Sequence, residues 1–150
     1  MDEFNARLAE HAVLALDTSI FIYQFESHPE YLPFASAVLQ HIQGGKGTGI
    51  ASVIAIMELT VHPWKAEKSA VARQYETLLA NFPNLFLQDM NRTVARRAAQ
   101  LRAKHSLAPA DALHVATALC HDATGFVTND LKLQCVDEEI DVIVLEQFVA

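Results

Sequence analysis

The chain has 150 residues, 51% hydrophobic and 19% charged, which excludes a disordered protein and suffices for one domain (1–150) with a sizeable core. No apolar run approaches the roughly 18 residues of a membrane span, and the acidic, polar start MDEFNARLAE is unlike a secretory leader. The net charge of −7 weighs against a protein held on nucleic acid by phosphate contacts alone, and Cys120 and Cys135 stand in no metal or redox spacing, so both are expected as reduced thiols in the cytoplasm.

The first predicted strand covers 12–16 and runs straight into Asp17, with Thr18 and Ser19 behind it. YLPFASAVLQHIQ follows as an amphipathic helix with Leu32, Ala35, Val38, Leu39 and Ile42 on one face. GGKGTG (44–49) lacks the G-K-[ST] ending of a phosphate-binding loop and precedes a strand, so it reads as a helix-to-strand turn. A second strand is predicted at 48–52. The helix SVIAIMELTV comes next, with Ser52 as its N-cap. Residues 53–57 are all apolar, a pattern expected of a buried helix, and Glu58 interrupts it. Taken alone, Glu58 reads slightly better as a solvent-facing residue on a thin polar stripe with His62.

KSAVARQYETLLANF is a further helix, and a third strand is predicted at 84–88. NRTVARRAAQLRAKH follows as a helix carrying Arg92, Arg96 and Arg97, part of a basic stretch that holds eight of the eleven Lys and Arg residues between Lys65 and Lys104. Those side chains permit an anionic partner such as RNA, although they serve equally well as the solvent face of two helices. PADALHVATALCHD is a small-residue helix with Pro109 in its first turn, where Asp111 complements the helix dipole. Strands at 125–128 and 141–145 complete the pattern, the former leading to Asp130.

Strands alternating with helices predict an α/β fold, a parallel sheet with helices on both faces. Sites in such sheets form outside the carboxyl ends of the strands, where Asp17 and Asp130 stand. Three of the four acids, Asp17, Asp111 and Asp130, have a local explanation as helix cap, dipole partner or turn residue. If the sheet is wound in the usual way, Asp17, Glu58, Asp111 and Asp130 all converge at one edge. Their mutual repulsion is then relieved by a divalent cation, and an all-oxygen acidic site suits Mg²⁺ or Mn²⁺.

The motifs LDTS (16–19), SVIAIME (52–58), PADALHVATAL (109–119) and FVTND (126–130) stand in the order found in the PIN domain family, and the chain resembles those metal-dependent nucleases, which include the toxins of VapBC toxin–antitoxin pairs. The resemblance implies a three-layer α/β/α sandwich around a mostly parallel sheet of about five strands, and endoribonuclease activity on RNA phosphodiester bonds. It assigns Asp17, Glu58, Asp111 and Asp130 to metal binding and catalysis with Mg²⁺ or Mn²⁺. Ser19 and Thr128 match supporting polar positions that orient the carboxylates, and Asn129 is expected to hydrogen-bond beside Asp130. His114 matches a common family position, but its context, one turn past Asp111, is equally that of a packing residue, and it is left outside the site. An RNA substrate, a cognate antitoxin blocking the acidic pocket, and a homodimer are implied partners.

Three rivals are weaker. A haloacid dehalogenase phosphatase needs a second Asp where Ser19 stands. The histidines form no recognisable zinc set. A PIN-like binding module without activity, for RNA or protein, is favoured by a missing acid, and none is missing.

Overall fold

The computed structural model describes residues 1–150. Seven α-helices and five strands alternate along it: α1 Asp2–Ala9, β1 Val13–Leu16, α2 Thr18–Phe25, α3 Leu32–Gln43, β2 Thr48–Ser52, α4 Ile54–Lys65, α5 Ser69–Ala80, β3 Leu85–Gln88, α6 Arg92–His105, α7 Pro109–Cys120, β4 Gly125–Thr128 and β5 Asp141–Val144. A 3₁₀ turn, Leu131–Val136, follows β4. All five strands are parallel, in the order β3-β2-β1-β4-β5. The fold is the α/β sandwich that the alternation of strands and helices predicts.

Side chains alternate across this sheet with period two and fill two cores. Leu14, Leu16, Ala51, Val127 and Ile143 enter one core with Phe4, Leu8, Phe21, Val38, Ile42 and Leu79, so α1 to α5 cover that face. Ala15, Ile50, Phe126, Val142 and Val144 enter the other with Val94, Leu101, Val115 and Ala116, beneath α6 and α7. Small residues on α7 (Ala112, Ala116 and Ala118 are fully buried) let it lie close to β1 and β2.

Three local features differ from the sequence reading. Residues 2–9 form a helix, because Phe4 and Leu8, one turn apart, bury completely against the first core. Ser52 ends β2 rather than capping the helix from outside, although its hydroxyl accepts the N–H of Ile54 at 3.3 Å. Nor is α4 buried all round: Met57, Val61 and Trp64 are 60%, 42% and 49% exposed, along one side of the helix. The glycine segment is the expected turn, with Gly45 at φ +80°, a conformation open to glycine at little cost.

The winding reverses at β1. From there β2 and β3 extend to one side, β4 and β5 to the other, so the carboxyl ends of β1 and β4 frame a crevice. Leu16 pairs with Val127, and the Asp17 N–H donates to the Val127 carbonyl at 2.9 Å. That register sets the next residues of the two strands beside each other.

Candidate metal centre

Asp17 is the N-cap of α2 and is held at both oxygens. Its Oδ1 accepts the N–H of Thr18 at 2.8 Å, and its Oδ2 accepts the Thr128 hydroxyl at 2.7 Å. The same Thr128 oxygen accepts the backbone N–H of Asp130 at 3.1 Å, so one buried hydroxyl joins the ends of β1 and β4. Asp130 itself caps the 3₁₀ turn, its Oδ1 accepting the Lys132 N–H at 3.0 Å. Asp17 and Asp130 thus do act as caps; the local account of each is correct, and it leaves part of each carboxylate free.

Glu58 reaches the same crevice from the second turn of α4. Its Oε1 accepts the Thr18 hydroxyl at 2.8 Å and lies 2.6 Å from His114 Nε2. His114 is almost completely buried, with Nε2 also 3.9 Å from Asp17 Oδ1 and Nδ1 without a partner. Nε2–H donates to Glu58, while Nδ1 meets no polar group. The hydrogen bond from His114 holds the Glu58 carboxyl below its ordinary pKa, against the opposing effect of burial; the charge of His114 and the Thr18 hydroxyl act in the same direction. His114 therefore does more than pack. It fixes Glu58, and the sequence carried no sign of this beyond its place one turn after Asp111, on the same helix face.

Asp111 enters from the first turn of α7 and is half-buried. Burial raises its pKa, and the negative charges of Asp17, Asp130 and Glu58 raise it further, opposed only by His114. Asp111 and Asp130 line one cleft, Thr128 links Asp130 to Asp17, and His114 stands between Asp17 and Glu58, so all four acids lie at the carboxyl edge of the sheet. His114 is the basic group beside Asp17 and Glu58, and no lysine or arginine pairs with any of the four. The Ser19 hydroxyl, buried in the first turn of α2, has no partner either. Asn129 points elsewhere: its amide nitrogen donates to the Tyr23 hydroxyl at 3.0 Å and its oxygen accepts the Glu146 N–H at 2.8 Å, so it braces β4 against α2 and the chain after β5 rather than bonding beside Asp130.

Arg92, Arg96 and Arg97 sit in the first half of α6, whereas the end of α6 at His105 borders Asp111. Arg92 is 13 residues back, about 20 Å along the helix. Arg97 is paired with Glu139 at 3.0 Å.

The amino edge of the sheet holds a second acidic group, Glu10, His11 and Asp141, whose ligand atoms lie within 4.8 Å of one another. Here the protein supplies its own cation. Arg7 donates to Asp141 Oδ1 at 2.7 Å and lies 3.8 Å from Glu10, while His11 takes Asp141 Oδ2 at 2.7 Å and the Thr124 hydroxyl at 2.8 Å. Burial pushes the Asp141 carboxyl up, but the hydrogen bonds from His11 and Arg7 outweigh it and hold the carboxyl below its ordinary range.

A family model for the PIN domain matches residues 14–139, and the chain belongs to the PIN domain family. No curated protein matches the sequence. Among solved structures, FitAcB from Neisseria gonorrhoeae superposes with a TM-score of 0.69 at 20% identity, covering 90% of this chain and 99% of that one. VapBC2 from Rickettsia felis gives 0.66 at 18% identity, over 88% and 98%. A toxin–antitoxin complex from Klebsiella pneumoniae gives 0.63 at 21% identity, over 88% and 97%. At these identities the likeness is one of fold.

Proposed function

We propose that this PIN domain is a metal-dependent endoribonuclease and the toxin of a toxin–antitoxin pair. The observation that carries the reading is the convergence of Asp17, Glu58, Asp111 and Asp130 on one crevice without a lysine or arginine among them. Four oxygen donors that repel one another suit a hard divalent cation, and the unpartnered Ser19 hydroxyl offers a further oxygen. In this reading the four carboxylates hold one or two Mg²⁺ or Mn²⁺ ions. Such an ion, when bound, activates a water for in-line attack at phosphorus and neutralises the leaving oxygen.

The chain's own residues then do the positioning. Thr18 N–H and Thr128 fix Asp17, His114 and the Thr18 hydroxyl fix Glu58, and the amino ends of α2 and α7 turn positive dipole ends toward a phosphate. RNA is the proposed substrate, with Arg92 and Arg96 available to a long strand rather than to the reacting phosphate. A cognate antitoxin is proposed from the toxin–antitoxin complexes among the structural neighbours, and a homodimer from the family resemblance. The exposed side of α4 offers apolar surface for such contacts.

The test is calorimetric titration of Mn²⁺ and Mg²⁺ into wild type and Asp17→Asn, with RNA cleavage followed on the same samples. Binding and cleavage, both lost in the variant, are the expected result. Cleavage by Asp17→Asn at the wild-type rate sinks the proposal. Metal binding without cleavage of any RNA turns the domain into a binding module.

A further inference from the structure

A cleft of about 480 Å³ opens beside the acidic crevice and shares Asp111 and Asp130 with it. One wall is the link between α6 and α7, with His105 and Ser106; the other is the 3₁₀ turn after Asp130, with Lys132 and Cys135. Both walls are fixed. Arg102 Nε donates to the Leu107 carbonyl at 3.0 Å, Ser106 takes the left-handed conformation that ends α6, and Asp130 caps the opposite turn.

The polar groups on this cleft are ones the protein leaves unused. His105 has a side chain only 7% exposed, yet its Nε2 makes no hydrogen bond; the nearest charge is Glu138, 3.5 Å away. Lys132 is the one lysine or arginine after Lys104. Arg97 and Lys104 are taken up by Glu139 and Glu138, whereas Lys132 pairs with no acid. No side chain caps α7 at Ala108; Pro109 has no N–H and the Ala112 N–H bonds the Ala108 carbonyl, so the N–H groups of Ala110 and Asp111 are the open ones at this helix end. An exposed cation, an open helix amino end and a nearly buried imidazole without a hydrogen bond line one cleft and together describe a site for an anion attached to a hydrogen-bonding group, and the volume lies within the roughly 300–1,000 Å³ of small-ligand sites.

We propose that this cleft seats one nucleotide of the substrate strand, the neighbour of the phosphate at the acidic crevice. Lys132 and the amino end of α7 take its phosphate, and Ser106 and His105 face its base. As a substrate subsite this rests on the nuclease reading; as a nucleotide-binding cleft it does not. The subsite also gives the acidic protein a cation beside the acidic crevice, which the distant arginines of α6 do not provide.

The experiment is a backbone-amide NMR titration of the full chain with uridine 5′-monophosphate and adenosine 5′-monophosphate in Mg²⁺. Saturable shifts are expected at Ser106, Ala110, Lys132 and Cys135. Lys132→Ala should bind roughly tenfold more weakly, as loss of a hydrogen bond to a charged group predicts, and Lys132→Arg should restore binding. Lys132 contributes only its backbone N–H to the turn, so the alanine variant keeps its fold. Absence of saturable shifts, shifts confined to other surfaces, or binding indifferent to Lys132→Ala overturns the proposal. Cleavage by wild type and Asp17→Asn judges the nuclease reading separately. A chain that cuts no RNA but shows the shifts keeps the nucleotide cleft, and one that cuts without them loses the cleft alone.

Discussion

The two edges of the sheet hold similar side chains and treat them in opposite ways. At the amino edge, Asp141 and Glu10 meet Arg7 and His11, and both Asp141 oxygens are satisfied. At the carboxyl edge, Asp17, Glu58, Asp111 and Asp130 share a single histidine and no lysine or arginine. Acids are thus not deficient in partners throughout this acidic chain. The deficit is local, and it falls where a parallel sheet places its sites. The pKa shifts carry the same contrast, with Asp141 lowered by its partners and Asp111 raised by burial and by its neighbours.

Removing the carboxylate at the centre should give the largest effect. Asp17→Asn should lower cleavage at least about a thousandfold, as loss of a principal charge-stabilising group does. It should also abolish the thermal stabilisation by Mn²⁺, which for wild type at a hundredfold excess over Kd is about 2.7 kcal/mol. Asp141→Asn should leave both metal effects in place; a metal response lost there, and kept in Asp17→Asn, reverses the assignment of the two edges.

A smaller effect tests the histidine. His114→Ala frees Glu58, and Mn²⁺ affinity measured by calorimetry should fall about 10- to 100-fold, the usual result of losing a group that orients a ligand. Affinity within a factor of two of wild type would make His114 the packing residue that the sequence suggested. At the other edge, Asp141→Asn uncouples α1 from β5 and should cost about 2 kcal/mol in chemical unfolding, with cleavage kept under folding conditions.

The smallest effects are those of pH, measured in chelator, and they have opposite signs. The Asp141 carboxyl is lower in the folded chain than in the unfolded one. Its stabilisation is present above the ordinary carboxylate value, about pH 4, and is lost as pH falls through the lower folded value. Asp111 is raised on folding, so the unfolded chain releases that proton first and stability declines as pH rises from about 4 through the raised folded value. Unfolding profiles of Asp141→Asn and Asp111→Asn against pH should therefore diverge from wild type in opposite directions, the first less stable and the second more stable at neutral pH.

Much of this was legible in the sequence because the physics behind it is local. Each strand is a short apolar run ended by a turn residue, and Asp17 and Asp130 stand out because such runs stop abruptly at an acid. What was not legible depends on pairing across the chain. His114 and Glu58 are 56 residues apart, and nothing near either residue announces the 2.6 Å contact. Asn129 turns to Tyr23 and to the Glu146 N–H for the same reason. Helix α1 is faint in the sequence because only Phe4 and Leu8 of its eight residues are buried to anchor it. The apolar run in α4 shows hydrophobicity but not the side that remains bare, so Met57 and Trp64 came out exposed.

Thr128 has a consequence of its own. Its hydroxyl gives its proton to Asp17 and receives one from the backbone of Asp130, so two strand ends are sutured by a group that carries no charge. Charges at this edge change with acidity and with any ion that arrives, but this stitch does not. The gap between the first and last acids is therefore a property of the scaffold, set without any ion, and in the proposed reading a cation has to suit a spacing it did not set.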